Sequence, residues 1–289
     1  MSSSPLRGIL LMVAAVGIFV TMDTIAKYLT RWYPPPLIVW ARYVSNLVIL
    51  LAFLAARGEL RLLRSARPGT QFARGLLLAL ATVLFFTSLS VLPLADANAI
   101  GFAMPLFVAA LAVPMLGERL EMARLLAILA GLVGALIIVR PGSELFTPYA
   151  LLPLGMAVCN AFYQILTRKV AGLEPPLTSL VWGAMVGAVL FSAVAPFVWV
   201  TPLAASHGVL IVIVGILASV GHFLLIKAYD YAGAGLLAPY TYTALIWAMA
   251  SGWLVFGDFP DGWSLAGMGV IVLSGLYLAN RQRLTVHRG

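Results

Sequence analysis

A chain of 289 residues that is 62% hydrophobic and only 10% charged, with a mean hydropathy of +1.03, lacks the polar surface of a soluble domain, in which roughly a quarter of residues carry charge. Its net charge of +8 would suit nucleic acid, but the basic residues lie in short loops between apolar runs, so they read as topology signals beside a lipid bilayer. The single cysteine, Cys159, excludes an intrachain disulfide framework and any cysteine-cluster metal site.

A helix needs about 20 apolar residues to cross a bilayer. With proline, glycine and charge as punctuation, ten spans are predicted at 7–30, 35–56, 74–92, 95–116, 122–139, 148–168, 177–200, 208–229, 234–256 and 262–280. The fold class is therefore all-α, a polytopic membrane protein. The first span ends in "TMDTIAKYL", where Asp23 and Lys27 lie four residues apart. They read either as a mutual helical ion pair near the outer interface or as a gate at the mouth of a pathway. Trp32 and Tyr33 follow as an interfacial aromatic belt. Arg42 lies about a third of the way into the second span, and its fixed charge demands a partner. Asp23 is the expected one. The loop 57–74 holds five arginines.

Asn98 and Phe102 open the fourth span, after Phe85 and Phe86 at the end of the third. In the sixth span Asn160, Tyr163 and Gln164 fall at i, i+3 and i+4 on one face. They read as either a helix–helix clasp or a lining. His222 lies in the eighth span, as a buried donor or a proton-linked switch. In the ninth, Tyr240 and Tyr242 follow Pro239, which removes a backbone donor and frees a carbonyl, and Trp247 comes one turn later. Pro105 is the rough counterpart in span four, and both prolines are expected to kink their helices. No carboxylate stands out in mid-span. Asp23 and Asp96 are the only acids at span edges. "GAMVG" at 183–187 reads as a site of close helix packing.

Thirteen basic residues fall on the side of the N-terminus and two, Arg31 and Arg140, on the other, which places both termini in the cytoplasm of a cell inner membrane. "FFTSLSVLPLADANA" (85–99) lies over "HFLLIKAYDYAGAGL" (222–236), "LGERLE" (116–121) over "FGDFPD" (256–261), and "PPL" at 35–37 over "PPL" at 175–177, all at offsets of 137 to 140. Two five-helix halves are expected, 1–145 and 146–289. Because five is odd, they are inverted relative to one another, the common plan of secondary transporters.

The "DTIAKYL" of span one, the "WAR" containing Arg42, and "ADANAIGFAMPLFVAALAVPMLGERLEMARLLAILAGLVGALIIVRPG" across spans four and five resemble the drug/metabolite transporter superfamily, in its ten-helix EamA-type branch. Overall likeness points to YddG-like aromatic amino acid exporters. The second half departs from the pattern, with "FGDFP" in place of the Glu motif and Leu245 where the offset places a proline. The resemblance implies a central cavity lined by spans one, three, four, six, eight and nine, so that Phe86, Asn98, Phe102, Asn160, Tyr163, Gln164, His222, Tyr240, Tyr242 and Trp247 become substrate-site candidates. Asp23, Lys27 and Arg42 become a gate or a structural ion group. The function it implies is export of small metabolites by alternating access, with amino acids, aromatic ones included, as the favoured class. Drug-like or quaternary-amine cations are the alternative. A membrane enzyme is the remote one, since no serine-protease motif or clustered histidine is present, and no phosphate-binding loop of an ATP-driven machine occurs. No cofactor, metal or nucleic-acid partner is implied, and the oligomeric state is left open.

Overall fold

The computed structural model describes residues 5–116, 122–140, 146–170, 173–232 and 234–286. The 117–121 stretch, with Glu118 and Glu121 of the "LGERLE" motif, lies outside them. The helices are α1 Pro5–Leu29, α2 Pro35–Ala56, α3 Pro68–Leu89, α4 Leu94–Gly101, α5 Met104–Leu116, α6 Met122–Val139, α7 Leu151–Val170, α8 Pro176–Val194, α9 Ala205–Tyr231, α10 Ala234–Leu237, α11 Thr243–Ser251 and α12 Gly262–Val286. No strand occurs among the described residues. Among the described residues, six helices are long and apolar enough to cross a bilayer without interruption. The protein is an all-helical polytopic membrane protein.

The fourth and ninth spans are broken. α4 stops at Gly101, and α5 restarts at Met104 after the amides of Phe102 and Ala103 make short-range bonds to Ala99 and Ile100. Pro105 therefore does not kink a continuous helix. It sits in the first turn of a new one, where its missing N–H is not needed, and it leaves the Gly101 carbonyl without its usual donor. Span nine tightens into a 3₁₀ turn, Ala238–Tyr242, around Pro239, before α11, and widens to a π turn at Gly252–Phe256. Gly257, in the left-handed region at φ +76°, ends it.

Two further expectations are corrected. The third span begins at Pro68 rather than residue 74, because proline is well suited to the first helical turn. Gln71 and Arg74 thereby leave the loop for a helix, where both are buried. Tyr33 is not an interfacial belt residue. It is fully buried and its hydroxyl accepts from the Leu203 amide at 2.9 Å and meets His207 Nδ1 at 2.9 Å. Trp32 beside it remains exposed.

Helix pairing is reciprocal. α1 packs on α9, and α3 on α7; α2 packs on α9, and α8 on α3; α5 packs on α7, and α11 on α1. Exchanging the first five spans for the last five turns each pair into the other. α2 with α8, α6 with α12 and α4 with α11 map onto themselves. The loops sort into two ends. The near end holds the start of α1 and the segments 57–67 and 173–175; the far end holds 30–34, 90–93, 195–204 and 257–261. Small residues allow the closest crossings, as within "GAMVG", where a Cβ on Gly187 would strike the Tyr43 ring.

Candidate functional site

A cavity of about 230 Å³ opens between α1, α2, α3, α4 and α7. Its polar wall is Asp23, Arg42, Thr82, Asn98 and Asn160, and Phe19, Phe85 and Phe86 form its aromatic wall. Both acids expected at span edges lie near helix ends, and both are buried. Asp23 is 7% exposed and Asp96 3% exposed, because the helices packed around α1 and α4 cover positions that hydropathy alone places at span edges.

Arg42 is held from α2 with its Nη1 donating to Thr82 Oγ1 at 3.1 Å. Thr82 in turn donates to the Leu78 carbonyl one turn back on α3 and meets the Tyr43 hydroxyl at 2.9 Å. The guanidinium stands 5.1 Å from the Tyr43 ring and 6.0 Å from the Phe86 ring, distances typical of cation–π contact. The expected Asp23–Arg42 link is not made at ion-pair distance. Neither residue has an ion-pair partner within 4.0 Å among the described residues. Asn98 donates to the Leu94 carbonyl at 3.0 Å, and Asn160 to the Met156 sulfur at 3.4 Å.

The remaining candidates are dispersed around this cavity. Phe102 and Tyr242, at the two helix breaks, meet with ring centroids 5.0 Å apart, so the discontinuities of spans four and nine touch each other. Tyr242 reaches the backbone of α12, where a Cβ on Gly275 would collide with its hydroxyl. Tyr240 packs against the main core, and its carbonyl accepts from Thr243 at 2.6 Å. His222 lies 4.9 Å edge-on to Phe19 and donates to the Ala218 carbonyl, one residue behind the cavity wall. Trp247 packs over Gly17 with its outer edge exposed. Gln164 turns outward to the Met104 sulfur. Tyr163 belongs to a different cluster at the near end.

That near-end cluster was not visible as a unit in sequence. Arg74 donates to Thr167 Oγ1 at 2.9 Å, to Gln71 Oε1, and to the Tyr163 hydroxyl at 3.4 Å, with its guanidinium 5.0 Å from the Tyr163 ring. Gln71 also donates to Glu174 and to Ser179. Glu174 further accepts from Ser65 at 2.6 Å and from the Arg67 amide at 2.9 Å. The one available signal was the proline at position 68, which starts a helix carrying Gln71 and Arg74 at i and i+3. Partial burial works to raise the Glu174 carboxyl, but the bonds from Ser65, Gln71 and the Arg67 and Ala66 amides together hold it below its ordinary value of 4.5. A lowered native value means that its stabilisation is present above the unfolded value and is lost as pH falls through the native one. Thermal unfolding in detergent is therefore expected to show the Tm gap between wild type and Glu174→Gln at pH 7 shrinking once pH drops below about 4.5. A gap unchanged down to pH 3 would refute that role.

Lys27 is the far-end counterpart, and it does not pair with Asp23. Its Nζ donates to the Leu92 carbonyl at 2.6 Å and to Leu89 at 3.4 Å, and stands 3.8 Å from Asp258. A small cavity of about 140 Å³ beside it is bordered by Arg31, Ser90 and Phe256. The i,i+4 spacing to Asp23 was outcompeted by the carbonyls of Leu89, at the end of α3, and of Leu92, in the turn beyond it, which need donors more than a carboxylate facing a cavity does. Arg140 pairs with Asp261, and Asp261 also accepts the Ser264 amide at 2.7 Å, capping α12.

Comparison with known proteins covers nearly the whole chain. The model of the EamA-like transporter family matches residues 6–140 and again 147–281. An S-adenosylmethionine uptake transporter of Rickettsia bellii is 30% identical over 89% of this chain and 87% of its own. A riboflavin transporter of Vibrio cholerae is 28% identical over 95% and 93%, and a pseudopaline exporter of Pseudomonas aeruginosa 26% identical over 96% and 97%. One crystal structure aligns with a TM-score of 0.67 over 96% of this chain and 98% of its own at 22% identity, a likeness of fold alone.

Proposed function

The chain belongs to the EamA-like transporter family, and from that premise we propose that it is a secondary carrier of amino acids or amino-acid-derived metabolites, aromatic ones included. Two halves, 1–145 and 146–289, rock against one another around the cavity, giving alternating access. The observation that carries this reading is the convergence of Asp23, Arg42, Asn98 and Asn160 with three phenylalanines on one cavity beside two broken helices in contact. Buried ionisable groups in spans mark substrate pathways, and discontinuous helices at matching positions mark the site of a carrier with inverted repeats.

The cavity's size supports a small cargo. At about 230 Å³ it is below the roughly 300–1,000 Å³ of sites for drug-sized ligands, which favours one amino acid over a flavin-sized molecule in this conformation. Of the relatives' cargoes, S-adenosylmethionine is itself an α-amino acid. A carrier without an energy source moves its cargo down the gradient, so export follows whenever the substrate is loaded inside. The charge bias supports an inner-membrane location with both termini in the cytoplasm. With Arg74 buried in α3 rather than in a loop, twelve basic residues remain against two, a bias of the same sign.

The test is uptake by proteoliposomes of a labelled amino acid panel, with and without a pH gradient. Protein-dependent accumulation of at least one amino acid is expected. Movement of a cation such as methyl viologen with no amino acid flux would overturn the substrate class in favour of a multidrug-type carrier.

A further inference from the structure

We propose that Arg42 and Asp23 form a divided receptor for the head group of a zwitterionic α-amino acid, with Arg42 taking the carboxylate and Asp23 the ammonium. This rests on the cavity being the transport site, and it names the two side chains that read the cargo.

Arg42 carries five N–H donors in a rigid fork. Thr82 Oγ1 is its protein acceptor, and its Nε is buried with no partner among the described residues. Asp23, which lines the same cavity from α1, has no hydrogen bond or ion pair among the described residues. Each is 7% exposed. A buried charge without an ion-pair partner is costly, and inside a bilayer such groups persist where they serve a function.

The two charges share a cavity yet do not touch, which leaves the space between them for a molecule bearing both opposite charges. A carboxylate fits the guanidinium fork bidentately, and an ammonium placed next to it on the same carbon reaches the Asp23 side. The Phe19, Phe85 and Phe86 rings then meet the cargo's side chain. The fixed positive charge of Arg42 also disfavours a purely cationic cargo, which would find Asp23 but be repelled by the guanidinium lining the same cavity. A purely anionic cargo meets the reverse arrangement. Discrimination thus requires both charges on one ligand, by attraction on each side and repulsion of either half alone.

The deciding experiment is competition against flux of the best-transported amino acid in proteoliposomes of the full-length protein. The competitors are that amino acid, its amide and its deaminated acid; for phenylalanine these are phenylalanine amide and phenylpropionate. In the wild type, each analogue is expected to compete roughly tenfold or more weakly than the parent, the loss of one charge-assisted contact. Arg42→Gln should bring the amino acid and its amide to equal potency while the deaminated acid stays weak. Asp23→Asn should equalise the amino acid and the deaminated acid while the amide stays weak. Arg42→Lys, which keeps charge but loses the fork, should recover part of the preference against the amide. If Arg42→Gln does not fold, Asp23→Asn and Arg42→Lys decide alone. A wild type that moves amino acids while the variants keep wild-type potency ratios, or weaken all three competitors alike, overturns the receptor and leaves the carrier standing. A wild type that none of the amino acids engages overturns both.

Discussion

Lys27→Ala is expected to unseal the far end of the protein, and to do so far more than removal of the carboxylate nearest to it. Lys27 caps the C-terminal end of α3: its ammonium takes the Leu92 carbonyl at 2.6 Å and the Leu89 carbonyl at 3.4 Å. The Leu89 carbonyl is the last of α3, without an intrahelical donor and at the negative end of its dipole, and the Leu92 carbonyl lies in the turn that follows. The bond ties the end of α1 to the turn before the broken fourth span. Leaving a part-buried carbonyl unpaired costs about 1–3 kcal/mol, a shift of roughly five- to a hundredfold in an opening equilibrium. Asp258, by contrast, is 40% exposed and 3.8 Å away, and a solvent-facing pair of that kind contributes about 0–1 kcal/mol.

The measurement is modification of Ala81→Cys, a residue of the cavity wall, in a Cys159→Ala background, by a membrane-impermeant thiol reagent added on the far side. Lys27→Ala should raise the rate by about tenfold or more, and Asp258→Asn by less than about fivefold. Equal effects of the two, or no effect of Lys27→Ala, would refute the capping role.

Leucine at Gly134 or Gly267 should cause the largest loss of stability among single substitutions in the transmembrane helices. α6 and α12 cross backbone to backbone. A Cβ on Gly134 would sit 2.8 Å from the Gly267 carbonyl oxygen, and one on Gly267 2.6 Å from the Gly134 carbonyl oxygen. A flexible side chain could swing away from such an intrusion; a helix backbone yields only by separating the helices. In lipid that separation is not opposed by water, so close packing is itself the attraction. Overpacking of this kind costs about 1–3 kcal/mol or more. Gly269→Leu is the control, since nothing lies within 4 Å of a Cβ at that position. Thermal unfolding in detergent should show Tm depressed for Gly134→Leu and Gly267→Leu and unchanged for Gly269→Leu. The double variant should lose less than the sum, because both substitutions break the same crossing. A Gly134→Leu protein as stable as Gly269→Leu would show that the two helices do not meet there.

The span count and most span boundaries were legible because burial in lipid imposes a one-body rule: each residue in a crossing helix must be apolar or justified. The repetition was legible for a related reason. Nearby offsets, 140 for "PPL" and 137 for the Phe86 and Phe223 stretches, register one half on the other, and the family model likewise matches the chain twice. Proline and glycine marked where spans four and nine are interrupted, but the interruption at span four is a restart rather than a bend. That difference depends on which residue enters the first turn of α5.

Partners were not legible. Composition said that Asp23, Lys27 and Arg42 had to be reconciled with the bilayer, and spacing offered the neighbour four residues away. The fold instead gives Lys27 the carbonyls of residues 89 and 92, gives Arg42 the Thr82 hydroxyl, and leaves Asp23 facing a cavity. A backbone carbonyl has no signature in sequence, and a partner on another helix is found only once the helices are packed. Sequence by itself determined that this chain is an all-helical polytopic membrane protein carrying a few costly charges. Tertiary structure decided which of those charges are sealed into the frame and which remain open to a ligand, because hydropathy is a property of single residues and pairing is a property of positions.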